Sequence, residues 1–265
     1  MESAPPLRHV FLAYLLAVVL IVGLSLLAVF VVTSMYPDRS EDAVLHGLPG
    51  LLAGGVASSV ALVLTLLLVV RSPEPAGLRL LPGRETGRSL FVMVIGVLAL
   101  GQALDSLTSL VGLGNRGAMP EIRRALAGAV GLDLFAAVIV IGVVAGTAEE
   151  VFFRGYMQAE LRRRWPRWAS VVTTSLCFAI LHVEVIHAVL AFALGLYLGF
   201  ITELTGSALP AVVCHVVNNA VFTLLTALGI AANAVSANAG LLVVTTLAFI
   251  ACLVWLRRAH AVAVA

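Results

Sequence analysis

Apolar residues run along this chain in long blocks separated by short polar stretches. Eight blocks can be drawn, at about 10–32, 48–70, 89–111, 127–154, 169–183, 186–203, 209–229 and 239–256. A helix of roughly 20 apolar residues crosses ~30 Å of hydrocarbon, and most of the blocks reach that length. Short alternating segments of the kind that build a membrane barrel are not visible. The pattern predicts an all-α fold, a polytopic membrane helical bundle of about eight transmembrane helices. The first block is too long for a signal-peptide core and no small-residue cleavage pattern follows it, so it reads as a retained helix. The fourth continues in helical pattern through "GYMQAELRRR", and the fifth is short for a full span. With no internal repeat or appended soluble domain, one integrated bundle is expected. Its parts are helices 1–3 and their loops (residues 1–126), a core of helices 4–7 (127–229), and a last helix with a tail (230–265).

Composition agrees with the pattern. The chain is 61% hydrophobic and 11% charged, with a mean hydropathy of +1.09, whereas soluble domains are about half apolar and a quarter charged. The bilayer is therefore its first partner. A net charge of +2 is too small to point to nucleic acid. Every basic residue is Arg, which with the abundant Ala, Val, Leu and Gly resembles a GC-rich bacterial genome and predicts a bacterial inner membrane. Cys177, Cys214 and Cys252 lie singly in apolar runs, where free cysteines behave as small hydrophobes. With eight spans and the N-terminus inside, 12 Arg fall on the cytoplasmic side and four (Arg39, Arg116, Arg123, Arg124) outside. That bias predicts a multi-pass protein with both termini in the cytoplasm.

Ionisable groups within hydrocarbon cost several kcal/mol each, so those that persist are candidates for function. "RRRWPRW" reads as a cytoplasmic anchor with interfacial Trp, and Asp105, Asp133 and Glu203 as interfacial residues near helix ends. "AGTAEEVFFRG" is different, because Glu149, Glu150 and Arg154 follow a long apolar run. Glu149 lies about 20 Å before Arg162 along a helix, and His182 about 22 Å after Arg167. Two antiparallel helices leaving one turn would bring this acid and this imidazole to one depth. On the seventh helix His215 and Asn219 share a face, with Asn218 turned about 100° away. Pro210, preceded by Ser207, suits a helix start, which leaves His215 only ~8 Å into its helix. Either that helix begins below the surface or helices four and five project from it.

Spacing separates the two glutamates. Glu150 and Arg154 are i,i+4, the favourable order for an ion pair, whereas Glu149 and Arg154 differ by about 140° around the axis. Arg154 is thus expected to hold Glu150, leaving Glu149 in a polar cavity. Taken singly, His182, Glu184 and His187 read as interfacial, and His215 with Asn219 as interhelical glue. It is the coincidence of polar faces on three helices that points to chemistry. The pairs Gly142/Gly146 and Gly195/Gly199 would let helices four and six pack closely.

A carboxylate and an imidazole facing one cavity can activate water, with Glu149 taking the proton and His182 orienting or sharing it. His215 and the Asn219 amide suit an oxyanion. These groups could hydrolyse a peptide bond within the membrane. Two His and a Glu could also bind zinc, but H-E-x-x-H is absent and no two His are i,i+4, so the metal version is the weaker one. No cofactor is expected.

These residues resemble the CPBP intramembrane proteases, the CAAX prenyl endopeptidase type II and bacteriocin-processing group also called the Abi family. Its motifs E-E-x-x-x-R, F-x-x-x-H and H-x-x-x-N stand here as Glu149-Glu150-Val-Phe-Phe-Arg154, Phe178-Ala-Ile-Leu-His182 and His215-Val-Val-Asn218-Asn219. The resemblance covers roughly residues 127–229. It implies a metal-independent glutamate protease with a conical cavity open to the cytosol, acting on peptide or lipidated protein substrates. Glu149 would be the base and His182 its partner, with His215 and Asn219 as the oxyanion site. Glu150 and Arg154 would support the site or contact substrate, and Phe178 would pack against it. Two other readings stay open: a non-catalytic binding or bacteriocin self-immunity protein on the same fold, and a proton-coupled carrier.

Overall fold

The computed structural model describes residues 7–70, 73–232 and 234–262, and the regular structure among them is helical. Eight long helices follow one another: α1 (Leu7–Met35), α2 (Leu48–Val69), α3 (Gly87–Leu110), α4 (Gly131–Arg162), α5 (Arg167–Ile180), α6 (Val185–Thr205), α7 (Leu209–Ala227) and α8 (Val235–Val262). Seven are long and apolar enough to cross a membrane; α5, with 14 residues, is about 21 Å long and is not. Two short helices, Glu41–Leu45 and Met119–Leu126, occupy the loops before α2 and α4. The protein is a polytopic helical membrane bundle. Its lipid-facing surface is carried by side chains such as Leu26, Phe30, Leu68, Phe91 and Leu247, each more than half exposed.

Local chemistry sets the helix ends. Thr86 and Ser89 form a reciprocal capping box at the start of α3, each satisfying the other's orphan N–H. Pro49 and Pro210 sit in the first turns of α2 and α7, where a missing N–H costs nothing. Gly206 closes α6 with a φ of 80°, a conformation that glycine adopts without strain. Glu184 caps α6 by accepting from the N–H groups of Ile186 and His187. Those two bonds hold its carboxyl below the usual carboxylate range.

Glycine pairs set the packing at the centre. Gly142 and Gly146 on α4 lie against Ala220 and Val216 of α7. Gly195 and Gly199 on α6 lie against Ser175 and Val171 of α5. Without side chains, these two also expose their carbonyls to α4, where Arg154 donates to Gly195 O at 3.1 Å and Gln158 to Gly199 O at 3.1 Å. The two bonds share one sequence offset, so α4 and α6 run parallel in register. The same offset places the α5–α6 turn level with residue 143 of α4, well short of its start at Gly131.

Glu203, expected at an interface, is instead 10% exposed and ties this end of the bundle together. It accepts from Arg79 at 2.8 Å, Gln158 at 3.0 Å and Arg162 at 2.8 Å. The segment at 79–84 bonds through its backbone to Thr205 and Ala208, so it covers the turn before α7. Ser207 and Ala208 are fully buried there. Helix α7 therefore begins below the surface, and that answers why His215 is deep although only six residues from Leu209.

Filling Gly199 should disturb this centre, because a Cβ there would stand 2.9 Å from both Gln158 Oε1 and Val171 Cγ1. Gly199→Val is expected to cost about 1–3 kcal/mol by overpacking. Gly23→Val, facing open space, should stay within about 0.5 kcal/mol. Thermal unfolding in detergent, followed by circular dichroism, compares the two.

Candidate active site

Helix α4 carries its two glutamates in a short α-helical stretch, Gly146–Glu150, between two π-helical stretches, Val138–Ala145 and Val151–Met157. π-turns are uncommon and concentrate where a helix must re-aim side chains at a site. Glu150 and Arg154 are both fully buried, and Arg154 Nη1 donates to Glu150 Oε1 at 2.8 Å. The guanidinium also lies over the Phe178 ring, 4.8 Å from its centroid. Arg154 thereby reaches a carboxylate, a carbonyl and an aromatic face, and so is fixed on three sides.

The chain of contacts continues into α7. His215 Nδ1 lies 2.7 Å from the same Glu150 oxygen. A carboxylate accepts, so Nδ1 carries the proton and Nε2 is turned the other way. There Nε2 stands 3.6 Å from Glu149 Oε2. Arg154, Glu150, His215 and Glu149 form one line from the packed interior to the wall of a cavity. With one cation and two carboxylates, a single further proton, on His215 or shared with Glu149, brings the line to neutrality.

His182 sits across from this line in the α5–α6 turn. Its Nδ1 bonds the Phe178 carbonyl at 3.0 Å, which assigns the proton to Nδ1 and leaves Nε2 as an acceptor when the ring is neutral. Its ring packs edge-on to Phe178 and to His187, with centroids 4.8 and 4.6 Å apart. Phe178 also meets His215 edge-on at 5.9 Å. It is the shared wall that holds Arg154, His182 and His215 apart from one another.

Glu149, Phe178, His182 and His215 meet a cavity of about 730 Å³ that is also lined by His187, Asn218 and Asn219, while Glu150 and Arg154 stay buried behind its wall. Asn219 Nδ2 donates to Ile141 O at 3.2 Å, and its carbonyl faces Asn218 Nδ2 at 3.4 Å. Asn218, set aside on angular grounds, lines the same cavity because that cavity subtends more than the 100° between the two residues. It is 6% exposed and its Oδ1 has no hydrogen-bond partner. His187, read from the sequence as merely interfacial, meets His182 edge-on within the site. The "NN" pair and the five-residue spacing of His182 and His187 were the signals available for them. Among the described residues, no three His, Cys, Asp or Glu side chains converge in metal-ligating geometry.

Compared with known proteins, residues 131–221 match the family model for type II CAAX prenyl endopeptidase Rce1-like proteins. That segment holds every residue named above for the site, and it is this part of the chain that is similar to the CAAX protease family. No curated protein and no solved structure matches the chain.

Breaking the buried line should cost stability, whereas changing its cavity end should not. Arg154→Met takes the guanidinium from Glu150, leaving that buried carboxylate with His215 Nδ1–H alone, and is expected to lose about 3–5 kcal/mol. Glu149→Gln, at the cavity wall, should remain within about 0.5 kcal/mol of the parent. Unfolding midpoints of the purified variants in one detergent test the contrast.

Proposed function

We propose that this protein is an intramembrane endopeptidase that hydrolyses a peptide bond of a membrane-embedded, lipidated or membrane-proximal substrate. The observation that carries the reading is the Arg154–Glu150–His215 line, which presents an oriented imidazole to Glu149 at the wall of the cavity. A carboxylate that only closed an ion pair would not need a second, better-buried carboxylate to hold its partner.

In the proposed reaction a water molecule lies between Glu149 and His182 Nε2. It donates one hydrogen to each, since both are acceptors. Its oxygen attacks the scissile carbonyl while Glu149 takes the proton. Negative charge passes to the carbonyl oxygen, where the Nε2–H of protonated His215 and the second N–H of Asn219 are the donors. The proton held by Glu149 then goes to the amine as the C–N bond breaks, leaving an acid and an amine. Glu150 and Arg154 position His215 and do not touch the reacting atoms. Every step uses side chains of this chain alone, so we propose a metal-independent mechanism. The membrane would be a bacterial inner membrane, with both termini in the cytoplasm.

Purified protein in liposomes should cleave a peptide or lipopeptide substrate. Glu149→Gln should lower the rate by about 10²–10⁴-fold, the usual contribution of a positioned base. A chelator should leave the rate unchanged. Retained activity in Glu149→Gln would remove Glu149 from the mechanism, and chelator inhibition reversed by zinc would favour the metal version.

A further inference from the structure

The two ends of the bundle carry opposite charge. Contacts fix which segments share an end: Arg79 and Arg162 both bind Glu203, Arg88 lies over Trp255, and Arg257 lies over Phe200. At this end the described residues include ten Arg and four acids. Arg71, counted with them from the sequence, lies outside the described residues. The other end is fixed by the pair of Arg123 with Asp105 and by the close contact of Gly117 with Glu184. It carries four Arg and seven acids among the described residues.

The cavity reaches only one of these ends. From its floor near Val97, Leu198 and His215 it passes Glu149 and Asn219 and comes out among Leu51, Asp105, Glu121 and Thr226. The helix Met119–Leu126 borders this mouth, with Arg123 anchored to Asp105 at 3.2 Å and to Gly114 O at 3.0 Å. No described residue of the Arg-rich loops at 73–86 and 162–167 lines the cavity. Buried Ser207 and Ala208 of the α6–α7 turn, with the Glu203 cluster, close that side.

Arginine-rich loops stay in the cytoplasm during insertion. We infer that the cavity opens on the non-cytoplasmic side, so that the enzyme takes its substrate from the exported side of the membrane. This rests on the peptidase reading for the word substrate, but the direction of the mouth does not depend on it. The substrate class would then be a translocated or outer-leaflet segment of a membrane protein or lipoprotein. A tail lipidated in the cytosol would meet the closed end. A cytosolic opening, which the family resemblance implies, is the opposite expectation for this chain.

Cysteine labelling in intact bacterial spheroplasts decides between them. Cys177 and Cys214 are buried and can stay, and Cys252 is replaced by Ala. Single cysteines are then introduced as Glu121→Cys at the rim, Thr226→Cys inside the mouth and Arg258→Cys at the other end. Pre-treatment with a membrane-impermeant maleimide should abolish later labelling of Glu121→Cys and Thr226→Cys by a permeant one. It should leave Arg258→Cys fully reactive, and inverted vesicles should give the reverse. Protection of the two mouth positions in spheroplasts, or equal labelling of all three from one side, overturns the inference. Since labelling needs no turnover, an inactive protein gives the same readout, and loss of proteolysis would count against the peptidase reading alone.

Discussion

The structure depends on a buried ion pair that is not left alone. Two charges in a low-dielectric interior lose several kcal/mol of hydration each, and their mutual attraction repays this only when their remaining hydrogen-bonding capacity is used. Arg154 meets much of that condition through the Gly195 carbonyl and the Phe178 face, and Glu150 through His215, while Arg154 Nε and Glu150 Oε2 have no hydrogen-bond partner. Satisfying the pair therefore requires α4, α5, α6 and α7 to stand at fixed relative heights. The same four helices make up the segment that matches the CAAX protease family, so one electrostatic requirement positions both the core packing and the cavity wall.

Small residues make those heights attainable. A side chain at residue 195 would press on Ser175 and on the Arg154 guanidinium, and one at residue 142 on Ala220. Glu149 and Glu150 share the α-helical stretch between the two π-helical ones, where the roughly 100° between successive residues turns them toward different surroundings. Glu150 is sealed while Glu149 remains 21% exposed toward the cavity. Burial of one carboxylate supplies the fixed charge that orients His215. Partial exposure of the other leaves it available to water.

Much of this could be read from residue spacing. The apolar blocks foretold the helices, including the short fifth one, and the i,i+4 spacing foretold the Glu150–Arg154 pair. Helix arithmetic also brought Glu149 and His182 to one depth, but it left His215 shallower, because the buried start of α7 could not be read from spacing. Three further things could not be read. The imidazole beside Glu149 is His215 and not His182, because which ring reaches across depends on rotamers and on Phe178 standing between them. Asn218 was misjudged because an angle on one helix says nothing about the width of the cavity it faces. Glu203 resembled an ordinary interfacial acid, since its partners Arg79, Gln158 and Arg162 come from distant segments that only the folded chain assembles. The glycine pairs were visible, but what they accommodate was not: Gly142 and Gly146 receive α7, and Gly195 and Gly199 free carbonyls for α4.

The central claim is that Glu149 acts on peptide bonds of other membrane proteins while its neighbours hold the site. Quantitative mapping of protein N-termini in membranes tests it most directly, comparing cells that carry the parent chain with cells that carry Glu149→Gln at equal abundance. The account predicts a defined set of internal N-termini that vanish in the Glu149→Gln cells, with their uncleaved precursors accumulating in the same membranes. Identical N-termini and precursor levels in the two strains would contradict it.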